Sequence, residues 1–226
     1  MLPIGLTEWP GGKLAPKPIA EYTVERMVDA GAETIYFVVS ERKSALLEYF
    51  GDGTRFGVNI AYLYQEKDRQ GTAQAVITAY PWIKGDAVLY GMPDTLVKPD
   101  DVFIKLLKHH KRLATNLSLG VFRVQDPSQY GVVHLDPADL NRVLLHENKP
   151  QYLTGPATIW GVACWDSAFT QLLYDHRIAL GVLDIGDIFD IAINYYRVFG
   201  HVFEDGVYID TGTADGIGKA LDYVRI

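Results

Sequence analysis

The first half of the chain alternates between two hydrophobic patterns, one with a helical period and one typical of buried strands. Pro18 suits the first turn of a helix, and Gly31 suits its end. The segments that follow alternate between β-branched or aromatic runs, which predict buried strands, and helical patterns. In chain order they are TIYFVVS (34–40), KSALLEYF (43–50), NIAYLYQ (59–65), GTAQAVITAY (71–80) and DAVLYG (86–91). This βαβαβ order predicts a three-layer α/β/α fold with a mostly parallel, mixed sheet and right-handed crossovers.

From about residue 116 the helical pattern gives way to strands separated by turns, some of which we expect to be antiparallel. The predicted strands are NLSLGVFRV (116–124), YGVVHLD (130–136), RVLLHENK (142–149), IWGVACWD (159–166) and HVFEDGVYID (201–210). Helices are predicted near 166–175 and 186–197 and over TADGIGKALDYV (213–224). No repeat, low-complexity tract or linker interrupts the chain, so we expect a single domain over residues 1–226.

Composition narrows the class of protein. The chain has 226 residues and one cysteine, Cys164, so a disulfide framework is excluded and a reducing, cytoplasmic location is expected. No apolar run approaches the roughly 18 residues of a membrane span, and the start has no basic-then-apolar leader, so no membrane partner is expected. The net charge of -7 argues against nucleic acid, which needs clustered Lys and Arg.

Two acidic residues lie where open α/β sheets bind their ligands, beyond the carboxyl ends of strands. Asp94 follows the strand 86–91 on a Gly-Met-Pro loop, and Asp210 ends an apolar strand in YIDTGT. Both also suit structural roles, Asp94 as a turn residue or helix cap and Asp210 as a helix cap. If they converge on one edge of the sheet they could hold Mg²⁺, which takes one or two protein carboxylates and completes its shell with water and phosphate.

Six segments in register resemble one known family. They are KPIAEYTVERMVDAG (17–31), GDGTRFGVNIAYLYQEKDRQGTAQA (51–75), MPDT (92–95), DPSQYGVVHLD (126–136), ENKP (147–150) and DTGT (210–213). In this order they resemble the sugar-1-phosphate nucleotidyltransferases, especially the glucose-1-phosphate thymidylyltransferases and the related uridylyltransferases. The resemblance spans essentially the whole chain and implies the Rossmann-like nucleotide-diphospho-sugar transferase fold.

The resemblance also implies a reaction. A nucleotidyl group passes from a nucleoside triphosphate, with dTTP or UTP favoured, to a hexose-1-phosphate, with glucose-1-phosphate favoured, and pyrophosphate is released. Mg²⁺ is the implied cofactor, the two substrates are the implied partners, and a homo-oligomer is compatible with the sequence. Residues up to about 115 would form the nucleotide-binding half and residues from about 116 the sugar-phosphate-binding half.

Motif matches assign roles to individual residues. On the nucleotide side, Asp94 and Asp210 resemble the metal-binding pair, with Asp94 also catalytic and in contact with the nucleotide. Gln65, Gly71 and Thr72 resemble nucleotide-binding residues, and the Gln65 amide offers one donor and one acceptor face to the imide edge of uracil or thymine.

On the sugar side, Gly131 resembles a backbone contact to the hexose, and Lys149 resembles the catalytic lysine that binds the sugar phosphate. Glu147 could accept hydrogen bonds from sugar hydroxyls. The family usually places a Glu directly before this lysine, whereas this chain has Asn148 there. Asn148 therefore departs from the family at the position whose side chain would recognise the sugar hydroxyls.

Members of the family normally begin with a strand and a G-x-G-T-R loop whose amides bind the triphosphate. MLPIG (1–5) fits directly after that loop, or alternatively matches a later Lys-x-Met-Leu-Pro segment, and both registrations leave out the strand and the loop. WPGGK (9–13) is interpreted as a surface turn, because no apolar strand precedes it. Lys13 is the candidate for the catalytic lysine near the start of the family's sequence.

Three explanations for this start stay open. They are a chain read from an internal Met, a shortened chain, or a non-catalytic binding or regulatory subunit without the phosphate loop. The non-catalytic subunit is the main alternative function. A metal-dependent glycosyltransferase is a further alternative, and the single acid of MPDT counts against it.

Overall fold

The computed structural model describes residues 2–9, 11–41, 43–67, 71–152, 155, 157–177 and 184–224. The strands within these ranges are β1 Pro3–Trp9, β2 Lys13–Pro18, β3 Thr34–Val39, β4 Asn59–Tyr64, β5 Val88–Tyr90, β6 Thr95–Lys98, β7 Leu117–Arg123, β8 Gly131–Asp136, β9 Arg142–Asn148, β10 Thr158–Trp165, β11 Val198–Val202 and β12 Val207–Asp210. The helices are α1 Ile19–Asp29, α2 Ser44–Phe50, α3 Thr72–Ile83, α4 Val102–Leu113, α5 Ser167–Asp175, α6 Ile185–Tyr195 and α7 Ala214–Val224. The predicted strands and helices are present, except that HVFEDGVYID (201–210), predicted as one strand, contains the end of β11 and the separate strand β12.

The strands form one large sheet and three pairs. The large sheet has six strands in the order β5-β10-β7-β11-β9-β8. Within it β7 and β11 are parallel, while β10 runs antiparallel to both β5 and β7. The pairs are β3 with β4, which is parallel, and β6 with β12 and β1 with β2, which are antiparallel. The α/β class with a mixed sheet is therefore confirmed, but the expectation that the sheet is mostly parallel is wrong, since most of the described strand pairs are antiparallel.

Helices cover both faces of the large sheet. In β7, Leu117, Leu119 and Val121 pack into one apolar cluster together with residues of α3, α5 and α6. Phe122, on the opposite face of the same strand, packs with residues of α1 and α4. This alternation follows from the two-residue period of a strand. Because both faces are buried, the sheet is the middle of three layers.

Three strands, β1, β2 and β6, were not predicted from the sequence. Pro3–Trp9 forms β1 and pairs with β2 in a hairpin whose turn contains Gly11 and Gly12. The interpretation of WPGGK as a turn agrees with this hairpin, but the reason given for it was wrong, since a strand does precede the turn. Thr95–Lys98 forms β6, directly after Asp94, and its partner β12 lies far away in the sequence.

Helix α3 extends beyond the predicted end at Tyr80 and continues through Pro81 to Ile83. Pro81 lies in the last turn, where its missing N–H removes a single hydrogen bond from the helix. The Lys84 amide still donates to the Tyr80 carbonyl, at 3.1 Å. Among the described helices, none is long and apolar enough to cross a bilayer.

Candidate active site

The loop between β5 and β6 carries Asp94, and β12 ends at Asp210. These two positions meet because β12 pairs with β6 in a register that sets Asp210 opposite Thr95. The next residue fixes the loop, since the amide and hydroxyl of Thr211 both donate to the Asp94 carbonyl oxygen, at 3.0 and 2.7 Å. The expected convergence of the two acids is therefore present.

The electrostatics of the pair reflect this proximity. Although Asp94 is exposed at the surface, the pKa of its carboxyl is raised above the ordinary value, first by desolvation and then by the negative charge of Asp210. The phenol pKa values of Tyr130 and Tyr208 are also raised, mainly by burial and next by the charge of Asp210. The site is thus negative before any ligand binds, which favours a cation.

The donor set fits Mg²⁺. Two carboxylates lie together, and the described residues contain no cluster of three or more His, Cys, Asp and Glu side chains that could hold a metal ion. Zn²⁺ sites usually need three or four such ligands, whereas Mg²⁺ is commonly bound by one or two carboxylates plus substrate phosphates. Asp94 and Asp210 are therefore candidates for holding a hard divalent cation.

Lys43, which was not among the residues predicted from the sequence, is a further candidate for this site. It lies four residues after the end of β3, just before α2, and its positive charge acts to lower the pKa of Asp94. It carries no motif, and it belongs to a polar run, ERK, that looks like an ordinary solvated loop. Its position beyond the carboxyl end of a buried strand was the available signal.

Gln65 and Gly71 are joined in the structure. Gln65 follows β4, and its side-chain Nε2 donates to the carbonyl oxygen of Gly71, at 3.1 Å. Gly71 has a backbone φ of 106°, which residues other than glycine rarely adopt, and it lies immediately before α3. The loop residues 68–70 between them lie outside the described residues. The two residues proposed to read the base are therefore adjacent in space.

Thr72 connects the two halves of the chain. Its hydroxyl donates to the carboxylate of Asp184, at 3.2 Å, and accepts from the amide of Ile185, at 2.8 Å. Asp184 is the N-cap of α6. These contacts give Thr72 a structural task, and its part in nucleotide binding stays a prediction.

The residues predicted to bind the sugar phosphate lie at one end of the β8–β9 pair. Gly131 begins β8 and faces Asn148 on β9. A Cβ at Gly131 would lie only 2.3 Å from Trp160 Nε1 and 2.7 Å from His146 Nε2, so only glycine fits there. Packing against Trp160 and His146 therefore accounts for this glycine, and its backbone contact to the hexose stays a prediction.

Glu147 and Lys149 differ in how they are held. The carboxylate of Glu147 forms a hydrogen bond with Nε2 of His134 on the neighbouring strand. Lys149 has a left-handed backbone with φ of 48°, and its amide donates to the Tyr130 carbonyl, at 3.0 Å. Its side chain is exposed. The backbone is thus constrained while the ammonium group is free to reach a phosphate.

Lys13 lies elsewhere on the hairpin. It begins β2 opposite Trp9, whose ring contacts Tyr49 at the end of α2 and the guanidinium of Arg55. No described contact joins Lys13 to Asp94 or Asp210. Its catalytic role stays a prediction that this geometry does not support.

Comparison with known proteins gives a family match over nearly the whole chain. Residues 13–225 match the family model for nucleotidyl transferases. The chain belongs to the nucleotidyl transferase family. The family resemblance inferred from the motifs is therefore confirmed.

Within this family the chain is similar to glucose-1-phosphate thymidylyltransferases. It is 28% identical over 212 residues to the one from Actinoplanes sp., covering 92% of this chain and 68% of the relative. It is 27% identical over 212 residues to the one from Mycolicibacterium smegmatis, covering 92% of this chain and 72% of the relative. Such proteins are transferases of nucleotide-sugar biosynthesis, so enzyme status and the transferase class are supported by the relatives.

The fold is also that of solved nucleotidyltransferases. The structure of UDP-glucose pyrophosphorylase complexed with UDP-glucose matches with a TM-score of 0.80 and 18% identity, over 92% of this chain and 87% of that one. The Rossmann-like nucleotidyltransferase fold expected from the motifs is confirmed.

Proposed function

We propose that the protein transfers a nucleotidyl group from dTTP or UTP to a hexose-1-phosphate, with glucose-1-phosphate favoured, forming a nucleotide sugar and pyrophosphate. The observation that carries the proposal is the meeting of Asp94 and Asp210 at the end of β5 and β12, fixed by Thr211. The names of the relatives support glucose-1-phosphate as the acceptor and dTTP as the donor. The bound ligand named for the structural neighbour supports UTP as the other donor.

The proposed reaction needs little general acid–base catalysis. An oxygen of the sugar phosphate, already ionised near neutral pH, attacks the α-phosphorus, and the bond from that phosphorus to the bridging oxygen breaks as pyrophosphate leaves. No group has to remove a proton from the nucleophile. The protein must bring two anions into line and offset the charge that accumulates between them.

The described residues supply these functions from opposite sides. Asp94 and Asp210 would hold Mg²⁺, which when bound would neutralise phosphate charge and orient the triphosphate. Lys43 offers a cation on the nucleotide side, close enough to Asp94 to influence its ionisation. Lys149 offers a cation on the sugar side, on a backbone anchored to Tyr130. Positive charge placed at two points explains how a chain with net charge -7 can serve anionic substrates.

Recognition would use the remaining residues. The Gln65 amide, oriented by its bond to Gly71, would pair with the imide edge of a pyrimidine base, which presents both a donor and acceptors. The Gly131 backbone and Glu147 would contact the hexose. The nucleotide half and the sugar half would meet where Thr72 contacts Asp184.

The experiment is a measurement of pyrophosphate release with Mg²⁺, over a panel of nucleoside triphosphates and hexose-1-phosphates. It uses this chain and the same chain extended by the codons that precede Met1 in frame. We expect release that requires both substrates and is fastest with dTTP or UTP and glucose-1-phosphate. Tight ligand binding with no pyrophosphate release from either chain would instead favour a non-catalytic binding subunit.

A further inference from the structure

Two tryptophans of β10 are buried, but they differ in the hydrogen bonding of the indole N–H. Trp165 is fully buried, and its Nε1 donates to the Thr170 hydroxyl, at 3.0 Å. Trp160 has 8% of its surface exposed, and among the described residues no atom accepts a hydrogen bond from its Nε1. A buried indole N–H normally finds a partner. The unpaired donor of Trp160 therefore needs an explanation.

The Nε1 atom of Trp160 is open to a ligand. Within the described ranges, the side-chain polar atoms that are sealed from solvent and lack a partner are Thr23 Oγ1, Arg26 Nη1, His109 Nε2 and His146 Nε2. Trp160 Nε1 lacks a partner too but is not one of these sealed atoms, so it keeps contact with solvent-accessible space. An acceptor that enters the site can therefore bind this N–H group.

Strand register places Trp160 at the edge of the sheet that carries Asp94. Strand β5 ends at Tyr90, which faces Ala163 on the antiparallel strand β10. Because β10 runs in the opposite direction, its residues before Ala163 extend beyond the carboxyl end of β5. Trp160 is one of these residues, and Asp94 follows β5 at the same end. The indole donor thus belongs to the edge at which open α/β sheets bind ligands.

Trp160 also adjoins the start of β8. Its Nε1 lies 2.3 Å from the position that a Cβ of Gly131 would occupy. Gly131 is the residue predicted to contact the hexose through its backbone, and it pairs with Asn148 on β9, next to Glu147 and Lys149. The unpaired donor therefore lies on the sugar side of the proposed site.

Tyr90 adds a second aromatic wall beside Trp160. The centroids of the two rings are 6.2 Å apart. Desolvation raises the pKa of the Tyr90 phenol, and the negative charges of Asp184 and Asp94 raise it further, so the phenol is neutral near pH 7. The ring therefore lies near the proposed metal site. Aromatic walls that carry a few placed polar groups are typical of small-molecule sites.

We propose that Trp160 is a specificity-determining residue of the hexose subsite, where its indole N–H donates a hydrogen bond to one hydroxyl oxygen of the sugar phosphate. The inference rests on the proposed function, since the ligand is the proposed acceptor substrate. A hydroxyl oxygen accepts hydrogen bonds, whereas the C–H groups of a hexose suit the apolar aromatic walls. A site that binds a substrate hydroxyl in this way rejects the analogue without it, because the protein donor is left unpaired.

The first test compares sugar-phosphate binding in the parent, Trp160→Phe and Trp165→Phe. Isothermal titration gives the Kd of glucose-1-phosphate and of its monodeoxy analogues, each of which lacks one hydroxyl. Mg²⁺ and α,β-methylene-dTTP, which cannot transfer its nucleotidyl group, are present throughout. We expect the parent to bind the analogue without the bonded hydroxyl about tenfold more weakly than glucose-1-phosphate.

The two variants separate a sugar contact from a structural role. In Trp160→Phe, which keeps an aromatic ring, glucose-1-phosphate and that one analogue should bind equally, and the Kd ratios for the other analogues should stay as in the parent. Trp165→Phe is the matched control on the same strand. It loses the bond to Thr170, so it should be less stable but keep every Kd ratio.

A second test needs no substitution in the protein that is measured. In an NMR spectrum of the parent, the indole N–H resonance of Trp160 should shift with glucose-1-phosphate and return towards its free position with the analogue that lacks the bonded hydroxyl. The Trp165 resonance should not move with either ligand, because its N–H is already paired inside the protein.

Three results would overturn the proposal. They are unchanged Kd ratios in folded Trp160→Phe, a Trp160 indole resonance that does not respond to bound glucose-1-phosphate, and a parent that binds no sugar phosphate. The proposed function can fail separately. Sugar-phosphate binding that depends on the Trp160 N–H, without pyrophosphate release by the parent, would support the subsite while contradicting nucleotidyl transfer.

Discussion

Thr211 donates hydrogen bonds from both its amide and its hydroxyl to the carbonyl oxygen of Asp94, at 3.0 and 2.7 Å. The two residues belong to different segments, the end of β12 and the loop after β5. A threonine at this point therefore ties the loop that carries Asp94 to the end of β12, where Asp210 lies. Thr211 is buried, with 8% of its surface exposed, so water cannot easily replace the bond.

Replacing Thr211 by valine removes the hydroxyl with little change in the shape of the side chain. Thr211→Val should lower the free energy of unfolding by about 1 kcal/mol, because the Asp94 carbonyl loses one buried donor. It should also raise the Mg²⁺ concentration needed for half-maximal turnover, since the Asp94 loop is less firmly held. Urea unfolding and a Mg²⁺ titration measure the two effects. Thr211→Ser keeps the hydroxyl, so its Mg²⁺ concentration for half-maximal turnover should equal that of the parent chain.

Removing either carboxylate tests the proposed metal pair. Asp94→Asn and Asp210→Asn should each abolish Mg²⁺-dependent pyrophosphate release, because one remaining carboxylate holds the ion too weakly. Both variants should keep the far-ultraviolet circular dichroism of the parent, and neither should be much less stable, since each relieves the repulsion between the acids. Asp101→Asn, on a half-exposed acid that pairs with Lys105, is the matched control and should stay active. Global unfolding of the two site variants would show that the acids serve as caps.

Substitution of Gln65 tests how the pyrimidine base is recognised. In Gln65→Glu the donor to the Gly71 carbonyl is replaced by an acceptor, so the loop loses its anchor and the base loses a hydrogen-bond donor. We expect the Kd for dTTP or UTP to rise about tenfold or more, as for a lost hydrogen bond to a buried polar partner. Binding of glucose-1-phosphate should not change. Isothermal titration of each substrate separates the two, and an equal loss for both would refute the assignment.

A buried histidine, His109, and a half-buried one, His201, predict acid sensitivity. Burial lowers the pKa of His109 from 6.5 to about 4, with the neighbouring His201, Arg112 and His110 acting in the same direction. The pKa of His201, whose ring lies 5.0 Å away, is lowered as well, first by burial and then by Lys105 and Arg112. The Nε2 atom of His109 is buried without a partner among the described atoms. Both rings are therefore neutral in the folded protein near pH 7.

The sign of the pH dependence follows from these lowered values. The unfolded chain takes up protons on the histidines below about pH 6.5 while the folded chain resists, so stability is full above that pH and falls towards pH 4. One histidine contributes a slope of at most about 1.4 kcal/mol per pH unit. His109→Phe and His109→Gln should both reduce the slope of unfolding free energy between pH 6.5 and 4.5, measured in urea. An unchanged slope in both would assign the acid sensitivity to other groups.

The sequence predicts the architecture where patterns are local. TIYFVVS and NIAYLYQ are strands with clear ends, as predicted, although β3 is mostly half-buried and no residue of β4 is fully buried. Asp94 and Asp210 could be placed because ligands gather beyond strand ends. The sequence does not predict features that depend on distant partners. Thr95–Lys98 is short and becomes a strand only by pairing with β12. Lys43 lacks any motif, and its influence on the pKa of Asp94 depends on how the segments that follow β3 and β5 approach each other in the fold.

The most direct test of the proposed reaction is phosphorus NMR of dTTP or UTP with glucose-1-phosphate and Mg²⁺, recorded with the parent chain, its N-terminally extended form and Asp210→Asn. The proposal predicts that a diphosphate-linked sugar nucleotide and free pyrophosphate appear in equal amounts, and that neither appears with Asp210→Asn. Release of phosphate or pyrophosphate without the sugar nucleotide would contradict nucleotidyl transfer. Equal product from the parent and Asp210→Asn would contradict the role given to the carboxylate pair.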